Sequence, residues 1–425
     1  MRVVVIGGYG NFGARVCRAL AGSPAMEVVA AGRHPDAGRG GLADLNLQHA
    51  RLDHSARDFP AALARLAPGL VIHCAGPFQS QDYRVALAAM EAGAHYLDLA
   101  DGRQFVTRFP NYVHPAARAA QRVAISGASS VPALSSAVID SLIARLSQVE
   151  EIQIAIAPGQ RAARGEATIA AVLGYAGRRF KWRSGGAWRD AWGWQELRRM
   201  RFYALGARWA AACDVPDLEL FPKRYPGLRT MEFRASLEIG AQQFALWLAA
   251  LLRRRGMALP IERWAKPLAR IASWMDAFGG DLGGMLVSLA GRRSDGSRAR
   301  IEWHLTADAQ HGPEIPCMAA VLLARHGREA LRPLQPDCDV AEPGEGFQVT
   351  PRPAAQVENR ERRLALDVSE QRRDVLADVV IARAIPEVLG APVIVIQGPG
   401  GNIFQIASLE RHMLAVTPRS PSPPW

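Results

Sequence analysis

The chain has 425 residues, enough for two or three domains with substantial cores. Hydrophobic residues make up 49% of it and charged residues 21%, which is typical of a globular protein and excludes a largely disordered one. The formal net charge of +11 favours anionic partners, such as a phosphorylated cofactor or an acidic surface. Nearly all 51 basic residues are arginine, so we attribute part of this excess to genome composition and predict no nucleic-acid partner.

The cysteines are scattered and show no paired spacing, which predicts reduced thiols and an intracellular protein. The sequence enters a strand pattern at once, which leaves no room for a signal peptide. The longest apolar run, residues 244–252, is too short to span a bilayer. We therefore expect a cytoplasmic protein and leave open a peripheral contact with the inner membrane. The five cysteines are Cys17, Cys74, Cys213, Cys317 and Cys338.

The first predicted element is a buried strand at residues 3–6, followed at once by a G-x-G-x-x-G motif and a helical pattern. In such a motif the first glycine permits a tight turn, the second lets the backbone approach a pyrophosphate, and the third lets the helix pack closely on the strand. The free N–H groups and the dipole at the helix start attract phosphate. Its place between a strand and a helix predicts a dinucleotide site. The predicted cofactor residues are Gly8, Tyr9, Gly10, Asn11, Phe12 and Gly13.

The second predicted strand, residues 28–31, ends at Gly32 and Arg33. Sites that select NAD usually carry a carboxylate here for the ribose 2′-hydroxyl, whereas a guanidinium suits a 2′-phosphate. We therefore predict NADP as the cofactor. Asp36 argues mildly for the other choice, so NAD stays open. A short third strand at residues 49–54 is expected to place Asp53 near the adenine.

The fourth predicted strand, residues 70–75, ends in a loop beside the cofactor, because ligands of a doubly wound sheet lie at the carboxyl ends of its strands. That loop consists of Ala75, Gly76, Pro77 and Phe78. Strands and helices then alternate with short connections, which predicts an α/β domain with a doubly wound parallel sheet up to residue 148. The further helices are predicted at residues 59–66, 83–92 and 134–146, and the further strands at residues 96–99 and 123–125.

Four ordered blocks resemble the saccharopine dehydrogenase-like oxidoreductases. They are GGYGNFG (7–13), CAGPF (74–78), AGAHYLDLAD (92–101) and SGASSVPALSS (126–136). The resemblance implies an NADP-binding Rossmann domain joined to a mixed α+β domain with a broad sheet. A later block, HGPEIP (311–316), is similar to one in bacterial members. Family members tend to have glycine and glutamate after the fifth strand, whereas this chain has Ala100, Asp101 and Gly102, so its carboxylate is one methylene shorter.

The alternation of buried strands and helices ends near residue 150, and a different sequence pattern follows. Residues 151–157 alternate as a half-buried strand does. Residues 180–209 are rich in Trp and Arg, a composition that could stack on nucleic acid, cover an apolar cavity or lipid, or fill a second core, and we favour the core. Residues 239–274 look helical, and their apolar run precedes Arg253, Arg254 and Arg255. This segment suits a buried helix with a basic end or a helix at a membrane interface. Residues 285–305 read as a β-hairpin.

We divide the chain into three parts. Residues 1–148 are the NADP-binding Rossmann domain, and residues 149–335 are an α+β domain for substrate binding and dimerisation. Residues 336–425 are a divergent C-terminal segment whose Ser- and Pro-rich end is expected to be disordered. A homodimer stays open.

The sequence lacks the motifs of several other classes of enzyme and of metal sites. None of the seven tyrosines has lysine four residues later, and no phosphate-binding G-x-x-x-x-G-K-[ST], H-E-x-x-H or Cys/His cluster occurs, so we predict no metal site. Hydride transfer asks the protein only to orient the substrate and supply a proton. The catalytic candidates are Asp98, Asp101 and Ser129, with Ser130, His304 and His311 as further proton donors. Asp98 and Ser129 could equally cap helices or tie loops.

We therefore predict an NAD(P)H-dependent oxidoreductase that acts on a C–N, C=O or C=C bond of a small molecule. The substrate class stays open between amino acids or imines and acyl or enoyl compounds. The Trp-rich second domain favours an apolar or acyl-bearing one. The alternative is a protein that binds NADP without turnover, as an accessory or membrane-associated sensor.

Overall fold

A computed structural model describes residues 1–257, 259, 265–330, 378–382, 394–397, 403–406 and 418–419. Within these residues the chain builds two β-sheets, one parallel and one mixed. The prediction of a disordered end at residues 420–425 lies outside the described residues. Among the helices described, none is both long and apolar enough to cross a bilayer.

The first sheet is parallel throughout and has the strand order β3-β2-β1-β4-β5-β6. Its central strands read as continuous apolar runs because helices cover both faces of the sheet. The order reverses between β1 and β4, which makes the carboxyl ends of these two strands the ligand-binding crevice of a doubly wound sheet. The predicted fold class is confirmed. The strands are β1 (Arg2–Ile6), β2 (Glu27–Gly32), β3 (Gln48–Arg51), β4 (Leu70–His73), β5 (His95–Asp98) and β6 (Ala124–Ile125).

Helices α1 to α6 accompany this sheet. The first of them buries Val16, Cys17 and Leu20 at the spacing of one helical face. The fifth lies at residues to which the sequence analysis assigned no element, and it packs through Phe105, Phe109 and Val113. The helices are α1 (Asn11–Ala21), α2 (Pro35–Gly38), α3 (Phe59–Arg65), α4 (Arg84–Glu91), α5 (Arg103–Ala120) and α6 (Ser135–Ile143).

The second sheet is mixed, with the order β10-β11-β12-β7-β13-β14-β15-β16-β17-β18 and a hairpin, β8–β9, paired to β12. Its middle strand β7 runs parallel to β12 and antiparallel to β13, and β13–β14 is the predicted hairpin. The strands of its main part are β7 (Gln148–Ala157), β8 (Arg179–Ser184), β9 (Ala187–Trp192), β10 (Arg198–Phe202), β11 (Gly206–Ala212), β12 (Thr230–Ser236), β13 (Gly283–Arg292) and β14 (Arg298–Ala307). The later strands are β15 (Asp378–Ala382), β16 (Ile394–Gln397), β17 (Ile403–Ile406) and β18 (Pro418–Arg419).

The helical stretch predicted at residues 239–274 is two helices rather than one, because the chain turns at Gly256, where φ is +93°. The helices of the second part are α7 (Glu166–Gly174), α8 (Asp217–Arg224), α9 (Gly240–Arg254), α10 (Ala265–Trp274) and α11 (Ile315–Ala330). The last of them returns to the first sheet, where Cys317, Ala320 and Ala324 pack in one cluster with Leu20 of α1. The boundaries proposed at residues 148 and 335 stay predictions.

The Trp-rich segment divides between core and surface. Trp182 and Trp194 are buried, as expected for residues that fill a second core. Trp188 and Trp209 are more than 40% exposed. The interpretation as core residues is therefore right for the first pair and wrong for the second.

Candidate functional site

In the turn between β1 and α1, the backbone at Gly13 packs directly against the backbone at Gly7. A Cβ at Gly13 would lie 2.1 Å from the carbonyl oxygen of Gly7, so no side chain fits there. Gly7 itself has a φ of +78°, a conformation that favours glycine. A Cβ at Gly10 would meet only the Gly7 oxygen, at 3.2 Å, so its other sides stay open for a ligand. The predicted roles of the third and second glycines of the motif agree with this geometry.

The helix that follows begins without a side-chain cap. Gly10 is the residue before α1, and no side chain bonds to the first N–H groups of the helix. These groups need an acceptor, and the helix dipole favours a negative one. The start of α1 is therefore suited to a pyrophosphate.

Tyr9 explains why residue 32 is glycine. Its hydroxyl donates a hydrogen bond to Ala30 O over 2.9 Å and pairs with His49 Nδ1 at 3.1 Å. The Tyr9 ring stacks on the His49 ring, with centroids 5.9 Å apart. A Cβ at Gly32 would lie 2.8 Å from Cδ2 of this ring. The glycine at the end of β2 thus makes room for Tyr9, a role that its place in the sequence did not indicate.

The end of β3 carries the predicted adenine-side carboxylate. The strand ends at Arg51, earlier than predicted, and Asp53 lies in the turn that follows. Its Oδ1 accepts hydrogen bonds from the hydroxyl of Ser55 (2.6 Å) and from its backbone N–H (2.9 Å). These bonds hold the pKa of the Asp53 carboxyl below its usual value, and the nearby charge of Arg33 adds to the effect. Arg33 is exposed beside this turn.

The loop of residues 75–78 is held by a glutamine. Gln81 Nε2 donates to Ala75 O (2.7 Å) and to Pro77 O (3.0 Å), and its Oε1 lies 2.9 Å from His73 Nε2. His73 is buried, and burial lowers its pKa to about 4. The imidazole is therefore neutral at pH 7, and its Nε2–H donates to Gln81. Neither residue belongs to a recognisable motif, so the sequence analysis missed both.

Asp98 lies inside the protein, at the end of β5. Its Oδ1 accepts hydrogen bonds from Gly127 N (2.8 Å), Ser126 Oγ (2.9 Å) and Ala100 N (3.0 Å). Burial raises the pKa of the carboxyl to about 6, and these bonds oppose the rise. Ser129 is also buried in the loop after β6. The geometry of Asp98 is that of a tie between two loops, and its catalytic role stays a prediction.

Asp101 is the predicted catalytic residue that reaches the open side of the sheet. It is exposed, and its Oδ1 accepts a hydrogen bond from Gln79 Nε2 over 3.2 Å. The surrounding protein excludes water from the carboxyl group, and this desolvation raises its pKa. Its charge in turn contributes to raising the pKa of Tyr175 and of Cys213, both in the second part of the chain. Asp101 also lies two residues before Arg103, which bonds to Lys181 and Asp214 of the second part.

Two contacts join the cofactor side of the first sheet to the second part. Arg103 donates to Asp214 Oδ1 (3.0 Å), to Glu219 Oε2 (3.3 Å) and to Lys181 O (2.7 Å). Asn11, in the first turn of α1, donates from Nδ2 to Ala163 O over 3.0 Å. These contacts place residues of the second part at the carboxyl edge of the first sheet, and we call the space between the two parts there the inter-sheet cleft. Asp101 and Cys213 are near the Arg103 contact, because they are close in sequence to Arg103 and Asp214.

The two candidate histidines are engaged elsewhere. His304 Nδ1 accepts from Tyr203 N over 3.3 Å within the second sheet. His311 Nδ1 lies 3.0 Å from Glu314 Oε2. The block at residues 311–316 leads into α11, whose Cys317 Sγ lies 3.5 Å from Phe12 O. Among the described residues, no group of three His, Cys, Asp or Glu side chains could hold a metal ion.

Comparison with known families identifies the first domain. Residues 3–131 match the family described as the saccharopine dehydrogenase NADP binding domain. The match covers β1 to β6 and every predicted cofactor residue. The first domain is therefore an NADP-binding domain of the saccharopine dehydrogenase type. A search of curated protein sequences finds no match.

The chain is also similar to solved structures of other proteins. Saccharopine dehydrogenase (L-Glu forming) from Saccharomyces cerevisiae matches with a TM-score of 0.52 and 11% identity, over 77% of this chain and 91% of that one. Homospermidine synthase from Legionella pneumophila, in complex with NAD, matches with a TM-score of 0.45 and 10% identity, over 71% and 77%. An engineered D-amino acid dehydrogenase bound to NADP+ matches with a TM-score of 0.41 and 16% identity, over 78% and 90%. The yeast enzyme shares the fold of this chain across both sheets.

The glycine turn allows a direct test. We expect Gly10→Val to abolish NADPH binding, measured by calorimetry, because the branched side chain would enter the space of the pyrophosphate. Gly22→Val is the control, since a Cβ there meets nothing within 4 Å and its φ is −79°. Unchanged NADPH affinity in a folded Gly10→Val protein would contradict the assignment.

Arg33 allows a test of cofactor choice. A charge-assisted bond to a 2′-phosphate predicts that Arg33→Ala weakens NADPH binding roughly ten- to hundredfold and leaves NADH binding nearly unchanged. Arg118→Ala, which removes an exposed arginine from α5, serves as the control. Equal losses for both cofactors would show that Arg33 does not read the 2′-phosphate.

Proposed function

We propose that this chain, a saccharopine dehydrogenase-like oxidoreductase that uses NADP, transfers hydride in the inter-sheet cleft to a small molecule with an apolar or acyl group. The observation that carries the proposal is the position of Asp101. It lies after the carboxyl end of β5, two residues before Arg103, which bonds to Asp214, the neighbour of Cys213 in the second part of the chain. A substrate beside Asp101 would therefore touch both parts of the protein.

Different residues of the chain would bind different parts of the cofactor. The first turn of α1, next to Gly10, would hold the pyrophosphate, and Arg33 would hold the 2′-phosphate. The loop of residues 75–78 would line the cofactor, and Gln81 keeps its carbonyl groups in place. The bound cofactor supplies the hydride. What remains for the second sheet is to orient the substrate and exclude water.

Charge in the cleft bears on the class of substrate. A polyanionic amino acid would need basic side chains free to pair with it. Arg103, an arginine at the cleft, is already bonded to Asp214 and Glu219. In the second part, Tyr175 stacks on the buried Trp194 and packs in an apolar cluster. We therefore favour an acyl or enoyl compound, or an imine with an apolar substituent, over a polyanionic amino acid.

Turnover distinguishes this function from a binding protein without activity. We expect the full chain to oxidise NADPH, followed by its absorbance, with at least one member of a panel of ketoacid–amine pairs, aldehydes and enoyl thioesters. Omission of the second substrate is the control. Tight NADPH binding with no oxidation across the panel would favour the accessory or sensor function instead.

We further propose a peripheral contact with anionic membrane on the cytoplasmic side. The support is the outer face of α9, where Phe244 and Leu248 are 44% and 49% exposed, next to Trp209 of β11. The nearby Arg199 and Arg254 are exposed, and α9, β10 and β11 contain no acidic residue. Exposed aromatic and leucine side chains among arginines suit an anionic lipid interface better than a like-charged second copy of the chain.

The four described cysteines are free thiols, which fits a reducing compartment.

Vesicle binding tests this surface. We expect the protein to stay on anionic acyl-lipid vesicles at high salt, because burial of apolar area is not screened as charge attraction is. Phe244→Ser with Leu248→Ser should abolish this retention. The control is Tyr112→Ser, which removes an aromatic side chain that is 57% exposed on α5 of the first domain. A wild type that ignores vesicles, or a double variant that only dissociates a dimer, would contradict the membrane contact.

A further inference from the structure

We propose that Tyr9 determines the choice of NADP over NAD, because its ring occupies the space that a side chain at residue 32 needs. The inference deepens the proposed function and rests on the binding of NADP by the first domain. Residue 32 ends β2, where sites that select NAD carry a carboxylate for the ribose 2′-hydroxyl. This chain has Gly32 there, so that carboxylate is missing.

Tyr9 is the obstacle to a side chain at residue 32. A Cβ built on Gly32 would lie 2.8 Å from Tyr9 Cδ2 and 3.2 Å from Tyr9 Cε2. Apart from the chain neighbours of Gly32, no other described atom lies within 4 Å of this Cβ. Gly32 belongs to β2 and has no positive φ, so its backbone conformation suits any residue. The glycine is therefore required by the Tyr9 ring and not by the backbone.

The Tyr9 ring is fixed where it lies. Its hydroxyl donates to Ala30 O over 2.9 Å and lies 3.1 Å from His49 Nδ1. Ala30 and His49 are themselves partners in the register of β2 and β3. The ring also stacks on the His49 ring, with the two planes 15° from parallel. A side chain held both at its end and on its face cannot yield to an added Cβ without losing these contacts.

The position of the ring relative to the cofactor follows from its two neighbours. Tyr9 precedes Gly10, next to the start of α1, where the pyrophosphate would bind. It also touches the position of Gly32, which precedes Arg33, the residue proposed for the 2′-phosphate. In NADP the adenosine ribose joins these two phosphate groups. The Tyr9 ring therefore lies between the two phosphate sites, beside the path of the ribose.

This placement separates two parts of the cofactor choice. Arg33 offers a charge-assisted hydrogen bond that only a 2′-phosphate can use fully. Tyr9 acts through the residue it excludes, because it keeps out the acceptor that the 2′-hydroxyl of NAD would need. Discrimination between two ligands commonly uses such a pair, one attraction and one exclusion. Tyr9 is thus a specificity-determining residue.

The first experiment measures NADPH and NADH binding to the full chain by calorimetry, in wild type, Gly32→Asp, Tyr9→Ala and the double variant. Gly32→Asp alone should weaken NADPH binding without a gain in NADH binding, because the Tyr9 ring keeps the carboxylate out of position. The double variant should bind NADH at least roughly tenfold more tightly than either single variant does, and prefer it to NADPH.

A matched control combines Gly32→Asp with Tyr112→Ala, which removes a tyrosine that is 57% exposed on α5 of the same domain. This control should gain no NADH binding. Tight NADH binding by Gly32→Asp alone would overturn the proposal, because the carboxylate would then fit beside the Tyr9 ring. A folded double variant that binds NADH no more tightly than the single variants would also overturn it.

The second experiment needs no cofactor and uses a smaller change. Thermal unfolding is compared for Gly32→Ala in the wild-type chain and in the Tyr9→Ala background. We expect Gly32→Ala to lower Tm in the wild type and to leave or raise it in the Tyr9→Ala background, where alanine replaces a flexible glycine without collision. An equal lowering of Tm in both backgrounds would identify a different obstacle and overturn the proposal.

Both experiments read binding or stability, so their result is separate from turnover. A chain that behaves as expected in both and still oxidises NADPH with no member of the substrate panel supports the role of Tyr9 and contradicts the hydride-transfer function.

Discussion

The close packing of the β1–α1 turn is the constraint on which the cofactor site depends. A Cβ at Gly13 would overlap the carbonyl oxygen of Gly7, so the helix can start where it does only with glycine at that position. Its first N–H groups then point out of the turn without a side-chain cap. Because an anion is the partner they need, the same packing that joins helix to strand also prepares the phosphate site.

The contact between the two parts of the chain depends on a second interaction, the hydrogen bonds of Arg103. The Arg103 side chain is only 12% exposed, and its guanidinium bonds two carboxylates and a carbonyl oxygen of the second part of the chain. Removing it would leave Asp214 partly buried without its cation, which is costly in a protein interior. Since Arg103 follows Asp101 by two residues, the contact that joins the two parts lies next to the candidate site. One side chain thus contributes both to the interface and to the position of the site.

Helix α11 adds a third connection between the two parts, because it follows the second sheet in the chain but packs on the first domain. It follows the last long strand of the second sheet but packs on α1, with Cys317 beside Phe12 of the glycine turn. The HGPEIP block leads into this helix. Its likeness to a block of the related oxidoreductases is thus explained by a packing role next to the cofactor turn, although the block lies far from that turn in the sequence.

The sequence alone determined the elements whose signal is local. The apolar runs, the G-x-G-x-x-G spacing and the turn residues predicted the doubly wound sheet and its cofactor loops, because a buried parallel strand and a tight glycine turn need those residue types wherever they occur. Only the tertiary structure decided the partners of single side chains. Gly32 makes room for Tyr9, Gln81 holds the loop of residues 75–78, Asp98 is sealed while Asp101 is open, and Tyr175 meets Cys213. These contacts join residues distant in the chain, and no local pattern records which side chains the folding of two sheets will bring together.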